Sequence, residues 1–216
     1  KMHDKFFQMA RQNMVKNQIL PNNVNNKDLI ESFSTVQKEI FVPNDSHDLT
    51  YTDSEIKISE NRNLMKTFII AKMFDRCNFG QDDKVLVVGC LTGYSIAILS
   101  KMVNYVVGID NDKKIVDIAS KNIDKLNILN CSIFFKKDLS QGLSRNAPYD
   151  KIFIEGTIKS IPDSFIKQLK DNGEIFVTLK NQEYVGDFVR ALKIESNISI
   201  EKFFTTSVKD KVELII

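Results

Sequence analysis

From Lys84 onward the chain alternates short apolar runs with helical segments, and no other feature constrains its fold as much. Val85-Leu86-Val87-Val88 precedes a helical segment around Ser95–Met102. Tyr105-Val106-Val107-Gly108-Ile109 precedes another at Lys113–Leu126, with Ile115, Ile118, Ala119 and Leu126 on one stripe. Ile133-Phe134-Phe135 follows, then Lys151-Ile152-Phe153-Ile154, a helix at Pro162–Leu169, and Ile175-Phe176-Val177. Continuously apolar runs separated by amphipathic helices belong to a parallel sheet covered on both faces. After Asn181 the segments Tyr184–Ile194 and Ile198–Thr206 read as an antiparallel hairpin at the sheet edge. The expected class is therefore α/β, a doubly wound Rossmann-like sheet with an N-terminal helical appendage.

That appendage occupies residues 1–80, as a lid in the same unit as the sheet domain at 81–216. Residues 4–42 have helical periodicity, with Phe7, Met14 and Ile19 on or near one face. Asn26 is placed to cap a second helix carrying Leu29, Ile30, Phe33 and Val36. Residues 43–65 are polar and irregular, and a stretch of this length is either floppy or functional. Thr67–Phe74 then reads as a helix with Ile69, Ile70 and Met73 inward.

The 216 residues are 43% hydrophobic and carry 30 basic against 28 acidic side chains, a net charge of +2. So near-neutral a balance speaks against a dedicated nucleic-acid or acidic-membrane surface. No apolar run approaches the roughly 20 residues that cross a bilayer, and the first residues lack a signal-peptide core. Cys77, Cys90 and Cys131 fit neither zinc-site spacing nor an even disulfide framework. The expectation is a reduced, cytoplasmic chain without a metal.

The first strand runs into Gly89-Cys90-Leu91-Thr92-Gly93-Tyr94 and then a helix. In an open α/β sheet this turn lies at the carboxyl end of the strand, where ligands bind. Asp110 ends the second strand 21 positions after Gly89, the spacing at which a carboxylate accepts from ribose hydroxyls. Asp138 ends the third strand, within reach of an adenine amino group. Each feature alone also fits a plain connection or a helix cap. The third glycine of a dinucleotide fingerprint is missing, with Leu91 where the second would stand. A cofactor with a nucleoside but no pyrophosphate fits better, which points to S-adenosyl-L-methionine.

Several segments together resemble the protein-L-isoaspartate O-methyltransferase family. Arg11 to Ile19 resembles its R-x-x-M-V-x-x-Q-I, Val36 to Pro43 its V-P-R-x-x-F-V-P, and Tyr51-Thr52-Asp53 its A-Y-x-D. Val85 to Tyr94 resembles V-L-E-I-G-T-G-S-G-Y, and Ala147-Pro148-Tyr149-Asp150 resembles A-P-F-D. Ile161-Pro162 and Gln168 to Gly173 resemble I-P…Q-L-K-x-G-G. The resemblance implies a class I S-adenosylmethionine-dependent methyltransferase fold. It also implies methyl transfer to isoaspartyl carboxylates of damaged proteins, with no nucleic-acid or membrane partner. By the same resemblance Gly89, Cys90, Leu91, Thr92, Gly93, Asp110, Asn111, Asp138 and Leu139 hold the cofactor.

The resemblance puts Ile58, Asn63, Met65 and Glu155 on the substrate side, and departures from the family pattern fall there at Asn63, Met65 and Glu155. The family's Thr and Ser that contact the substrate carboxylate are Asn63 and Met65 here, and Met65 offers no useful hydrogen bond. Glu155-Gly156 stands where the family has Thr-Ala, and an ionised Glu155 repels an isoaspartyl group. Lys137-Asp138-Leu139 keeps only the carboxylate of G-D-G, and Val87 replaces a Glu. The alternatives these changes leave open are a catalytically impaired binding or scaffold module, and a different methyl acceptor. Arg62 and Lys66 flank the altered loop, where solvated surface charge is the expected reading over attraction of a substrate carboxylate. Cys90 is expected as a small filler rather than a reactive thiol, Tyr94 as packing over the glycine loop. His3 and His47 have no catalytic partner motif beside them.

Overall fold

The computed structural model describes residues 2–207. The elements in chain order are α1 (Met2–Met14), α2 (Lys27–Thr35), β1 (Ile56–Lys57), β2 (Asn63–Leu64), α3 (Thr67–Cys77), β3 (Lys84–Val88) and α4 (Tyr94–Ser100). They continue as β4 (Tyr105–Asp110), α5 (Lys113–Lys125), β5 (Cys131–Phe135), β6 (Tyr149–Ile158), α6 (Asp163–Gln168), β7 (Leu169–Gln182), β8 (Val185–Ile194) and β9 (Asn197–Ser207).

Strands β3 to β9 form one seven-stranded sheet in the order β5-β4-β3-β6-β7-β8-β9. The first five positions pair in parallel, and β8 and β9 close the edge as an antiparallel hairpin, as expected. Val85 to Val88 are fully buried because cores lie on both sheet faces. That two-sided burial is the physical source of the unbroken apolar runs.

The chain leaves β3 towards β4 on one side, while β6 lies on the other. This change of winding direction opens a crevice at the carboxyl ends of β3 and β6. Their ladder ends at Val88 opposite Ile154, so Gly89 and Glu155 stand beside each other where the strands part. Against β7, β6 shifts register between Phe153 and Thr157, a bulge that contains Glu155. Bulges of this kind re-aim a side chain next to a site.

Before the sheet, Asn26 caps α2 by accepting from the Leu29 amide at 3.1 Å. Helix α1 stops earlier than the periodicity suggests, giving way to a π turn at Val15–Ile19 and a 3-10 turn at Leu20–Asn22. Pro21 at the start of that last turn, and Asn23 in left-handed conformation after it, end the helical run. Residues 43–65 are more ordered than expected, with a 3-10 segment at Asn44–Leu49 and the β1–β2 hairpin. On α5 the stripe also differs: Ile118 is 47% exposed, and Ile115, Val116, Ala119 and Ile123 form the inner face. Tyr51, Glu39 and Arg11 tie the N-terminal helices together, Arg11 Nε donating to the Tyr51 hydroxyl at 2.8 Å and Nη2 to Glu39 at 2.9 Å. Arg11 and Tyr51 come from two of the family-like motifs, so those motifs serve the packing of this layer.

Candidate functional site

The glycine turn takes its shape from residues in the left-handed region. Gly89 has φ 75° and Gly93 φ 95°, while Leu91 adopts φ 50° without a glycine's freedom. A non-glycine residue held there costs about 1 kcal/mol or more and needs support. Leu91 has it: the side chain is 2% exposed, and its amide donates to Asp110 Oδ2 at 2.9 Å. Behind the turn Gly108 leaves room for it, because a Cβ there would meet Ile96 Cδ1 at 2.3 Å and Cys90 Sγ at 3.1 Å.

Asp110 is completely buried at the end of β4, its Oδ1 also accepting from the Asp112 amide at 3.3 Å. The remaining partner of that oxygen is Arg62. Its guanidinium donates to Asp110 Oδ1 at 3.4 Å and to the Gly89 carbonyl at 3.0 Å, with the side chain only 12% exposed. The expectation of a solvated Arg62 is therefore corrected. The Arg62 carbonyl accepts from both Ile58 and Ser59, which folds the β1–β2 turn so that its side chain enters the crevice. Lys66, by contrast, lies with its ammonium 5.9 Å from the Phe68 ring.

Glu155 is 3% exposed, and neither carboxylate oxygen has a hydrogen-bond partner among the described residues. Burial pushes its pKa up to about 7; the Ser95 hydroxyl and Arg62 pull it down, and Asp110 pushes it up. Ser95 is near enough to favour the charge without completing a bond to it, and its own hydroxyl is likewise unpartnered. A half-neutral Glu155 repels an anion less than a free glutamate does.

The other expected cofactor residues divide into two groups. Cys90 is buried, and burial with Asp110 and Glu155 nearby holds its thiol well above the ordinary range, in keeping with a filler. Thr92 spends its hydroxyl on the Phe41 carbonyl at 2.7 Å, and Asn122 donates to the Thr92 carbonyl at 3.1 Å. Tyr94 packs on Phe33 and Phe41, fixing the N-terminal helices over the turn. Asn111 is exposed, and Asp112 beside it caps α5. Asp138 is exposed too: Ser140, through hydroxyl and amide, and Gln141 bond its carboxylate and hold it below the usual range, while Leu139 is buried.

On the substrate side, Met65 is buried and Ile58 half-buried. Met65 and Gly156 line a cavity of about 30 Å³ together with Glu55, Ile69, Met73 and Thr157. Asn63 Nδ2 donates to Glu55 at 3.5 Å, and its Oδ1 is buried without a partner among the described residues. A larger cavity of about 550 Å³ lies away from this chemistry, between Arg11, Val36 and the Leu126–Asn130 turn. The His47 ring nitrogen lies 3.2 Å from the Val42 carbonyl, and the ring packs against Phe7. No cluster of possible metal ligands occurs among the described residues, and no helix among them is long and apolar enough to cross a membrane.

Arg62 is the residue whose direction sequence reasoning misjudged, and the burial of Glu155 in a bulge is the feature it did not foresee. A lone arginine between two asparagines gives no sign of its direction, and a glutamate after an apolar strand gives no sign of a bulge.

A buried carboxylate at the end of the second parallel strand, bonded to a left-handed glycine turn at the switch point, defines a nucleoside-binding α/β protein. A profile of the family described as Protein-L-isoaspartate(D-aspartate) O-methyltransferase matches residues 9–208, and the chain belongs to that family. Protein-L-isoaspartate O-methyltransferase 2 of Shewanella sediminis is 30% identical over 172 residues, covering 80% of this chain and 70% of the relative. The Ignicoccus hospitalis protein-L-isoaspartate O-methyltransferase is 24% identical over 206 residues, covering 94% and 97%. A solved protein-L-isoaspartate O-methyltransferase superposes with TM-score 0.80 at 20% identity over 91% of this chain, which spans 64% of that one. A Plasmodium falciparum structure of the same description, in complex with S-adenosyl-L-homocysteine, superposes with TM-score 0.77 at 18% identity, covering 92% and 96%. The fold is the Rossmann-like class I methyltransferase fold that the family resemblance implies.

Proposed function

We propose that this chain transfers a methyl group from S-adenosyl-L-methionine to isoaspartyl carboxylates of damaged proteins. The observation that carries the reading is the family match from residue 9 to residue 208, which takes in both the N-terminal helices and the crevice. When bound, the cofactor supplies an electrophilic methyl: a carboxylate oxygen forms the new O–C bond as the S–C bond breaks, its electron pair staying on sulfur.

Asp110 is the residue for the ribose hydroxyls, since it is buried, held by the Leu91 amide and carries an oxygen facing the crevice. The turn from Gly89 to Gly93 acts through its backbone, because the Cys90 and Thr92 side chains point inward. Asp138 is assigned to the adenine amino group from the surface, with Leu139 behind it, and Asn111 to the ribose edge. Ile58, Asn63, Met65 and Glu155 form the substrate side. This demands little covalent help, and positioning and charge placement supply the rate. The partner is a protein or peptide bearing an isoaspartyl residue; no nucleic acid or membrane is involved, and the site of action is cytoplasmic.

Asn63 and Met65 in place of hydroxyls, with Arg62 held on Asp110, favour a second reading. In it the chain is a cofactor-binding or scaffold module, or methylates another acceptor. Labelled methyl transfer to an isoaspartyl peptide, against the same peptide with a normal aspartyl linkage, separates the readings. Selective transfer supports the first; binding of the cofactor without transfer to either peptide refutes it in favour of the module.

A further inference from the structure

Arg62 sits on the loop that has lost its hydroxyls, one residue before Asn63 and three before Met65. Its charge acts on both buried carboxyls of the crevice. One of these, Asp110, it already holds, through the oxygen a ribose hydroxyl needs; the other oxygen is committed to the Leu91 amide. The other, Glu155, has no hydrogen-bond partner among the described residues. The charged and polar groups around this space are Asp110 from β4, Ser95 from α4, Glu155 from β6, and Arg62 itself, with the Cys90 thiol turned inward behind the turn. At 3.4 Å the Arg62–Asp110 contact is at the long end of hydrogen-bonding distance, longer than the 3.0 Å bond from the same guanidinium to the Gly89 carbonyl.

We propose that Arg62 is the substrate-carboxylate ligand of this chain, and that it takes up this role on exchanging Asp110 for the isoaspartyl group. The inference rests on the methyltransferase reading and deepens it. When Asp110 accepts from ribose, the guanidinium is left with the Gly89 carbonyl and an open fork. A planar fork of N–H donors matches a carboxylate and grips both its oxygens. Gripped along one edge, the carboxylate keeps an outer lone pair on either oxygen for attack on the methyl. No proton moves in that step, so Arg62 needs no base. The loss of two neutral hydroxyls is thus answered by one charged donor from the same loop, and the binding order becomes cofactor first.

The test compares wild type, R62A and R62K in two measurements. One is the Kd for S-adenosyl-L-homocysteine by calorimetry; the other is kcat and KM for an isoaspartyl peptide. The internal competitor is one long hydrogen bond on the Asp110 oxygen, and removing it tightens the R62A Kd by about fivefold. Removing a charge-assisted grip raises its peptide KM by about tenfold or more, with R62K recovering part of it. A purely structural role moves both constants the same way. An R62A Kd that is unchanged or weaker overturns the exchange, and an unchanged KM overturns the carboxylate role. Wild type that binds the nucleoside but methylates no isoaspartyl peptide overturns that role together with the acceptor reading. Wild type that binds no nucleoside overturns all of it. Circular dichroism checks folding, and R62Q replaces R62A if the alanine variant is unfolded.

Discussion

Replacing Glu155 by Gln is expected to stabilise the protein at neutral and alkaline pH, and to have little effect near pH 4.5. The carboxyl is 3% exposed with both oxygens unpartnered, and its pKa rises from 4.5 to about 7. Between those values the folded chain binds more protons than the unfolded chain, so stability falls as pH rises through the window. Above about pH 7 the full penalty is present. At 1.36 kcal/mol per pH unit the shift corresponds to about 3 kcal/mol at most. A glutamine keeps the shape without the charge, and its buried amide costs about as much as the neutral carboxyl it replaces. The net gain is therefore about 3 kcal/mol at most, or roughly 6–12 °C in Tm for a chain of this size. Thermal or urea unfolding of both proteins across this pH range measures it. The two stability curves should meet near pH 4.5 and diverge until about pH 7. Parallel curves, or a variant less stable at about pH 8, would show that the carboxylate is paired or solvated and refute the reasoning.

Lys38 gives a prediction of opposite slope. Burial lowers its pKa from 10.5 to about 7, and its Nζ donates to the Thr67 hydroxyl at 2.8 Å. Between those values the unfolded chain holds the extra proton, so stability rises with pH there, and K38M should gain most at pH 7 and below. An advantage of K38M that fails to shrink towards about pH 10 in thermal melts contradicts this. D110N should weaken S-adenosyl-L-homocysteine binding by about tenfold or more, since an amide accepts ribose hydroxyls less well than a carboxylate. Calorimetry giving equal Kd values for D110N and wild type would remove Asp110 from the ribose site.

The sheet was legible because its cause is written into the chain: two-sided burial demands unbroken apolar runs, and Val85–Val88 and Tyr105–Ile109 supply them. Asp110 was legible through its spacing from Gly89, and the Asn26 cap through its position before Leu29. The stripe on α5 was misjudged at Ile118 because periodicity marks a face only to within a residue or so. Arg62 was not legible because its direction depends on a hairpin of two-residue strands, whose Arg62 carbonyl is fixed by Ile58 and Ser59. Glu155 was placed correctly in the chain, but its altered charge arises from a bulge between strands, a tertiary event with no local signature.

The most direct measurement is a crystal structure of the protein with S-adenosyl-L-homocysteine bound. The expected result is a ribose whose hydroxyls bond Asp110 in the crevice between β3 and β6, with the Arg62 guanidinium moved off that carboxylate. A nucleoside bound elsewhere, or bound there with the Arg62–Asp110 pair intact, would contradict the account.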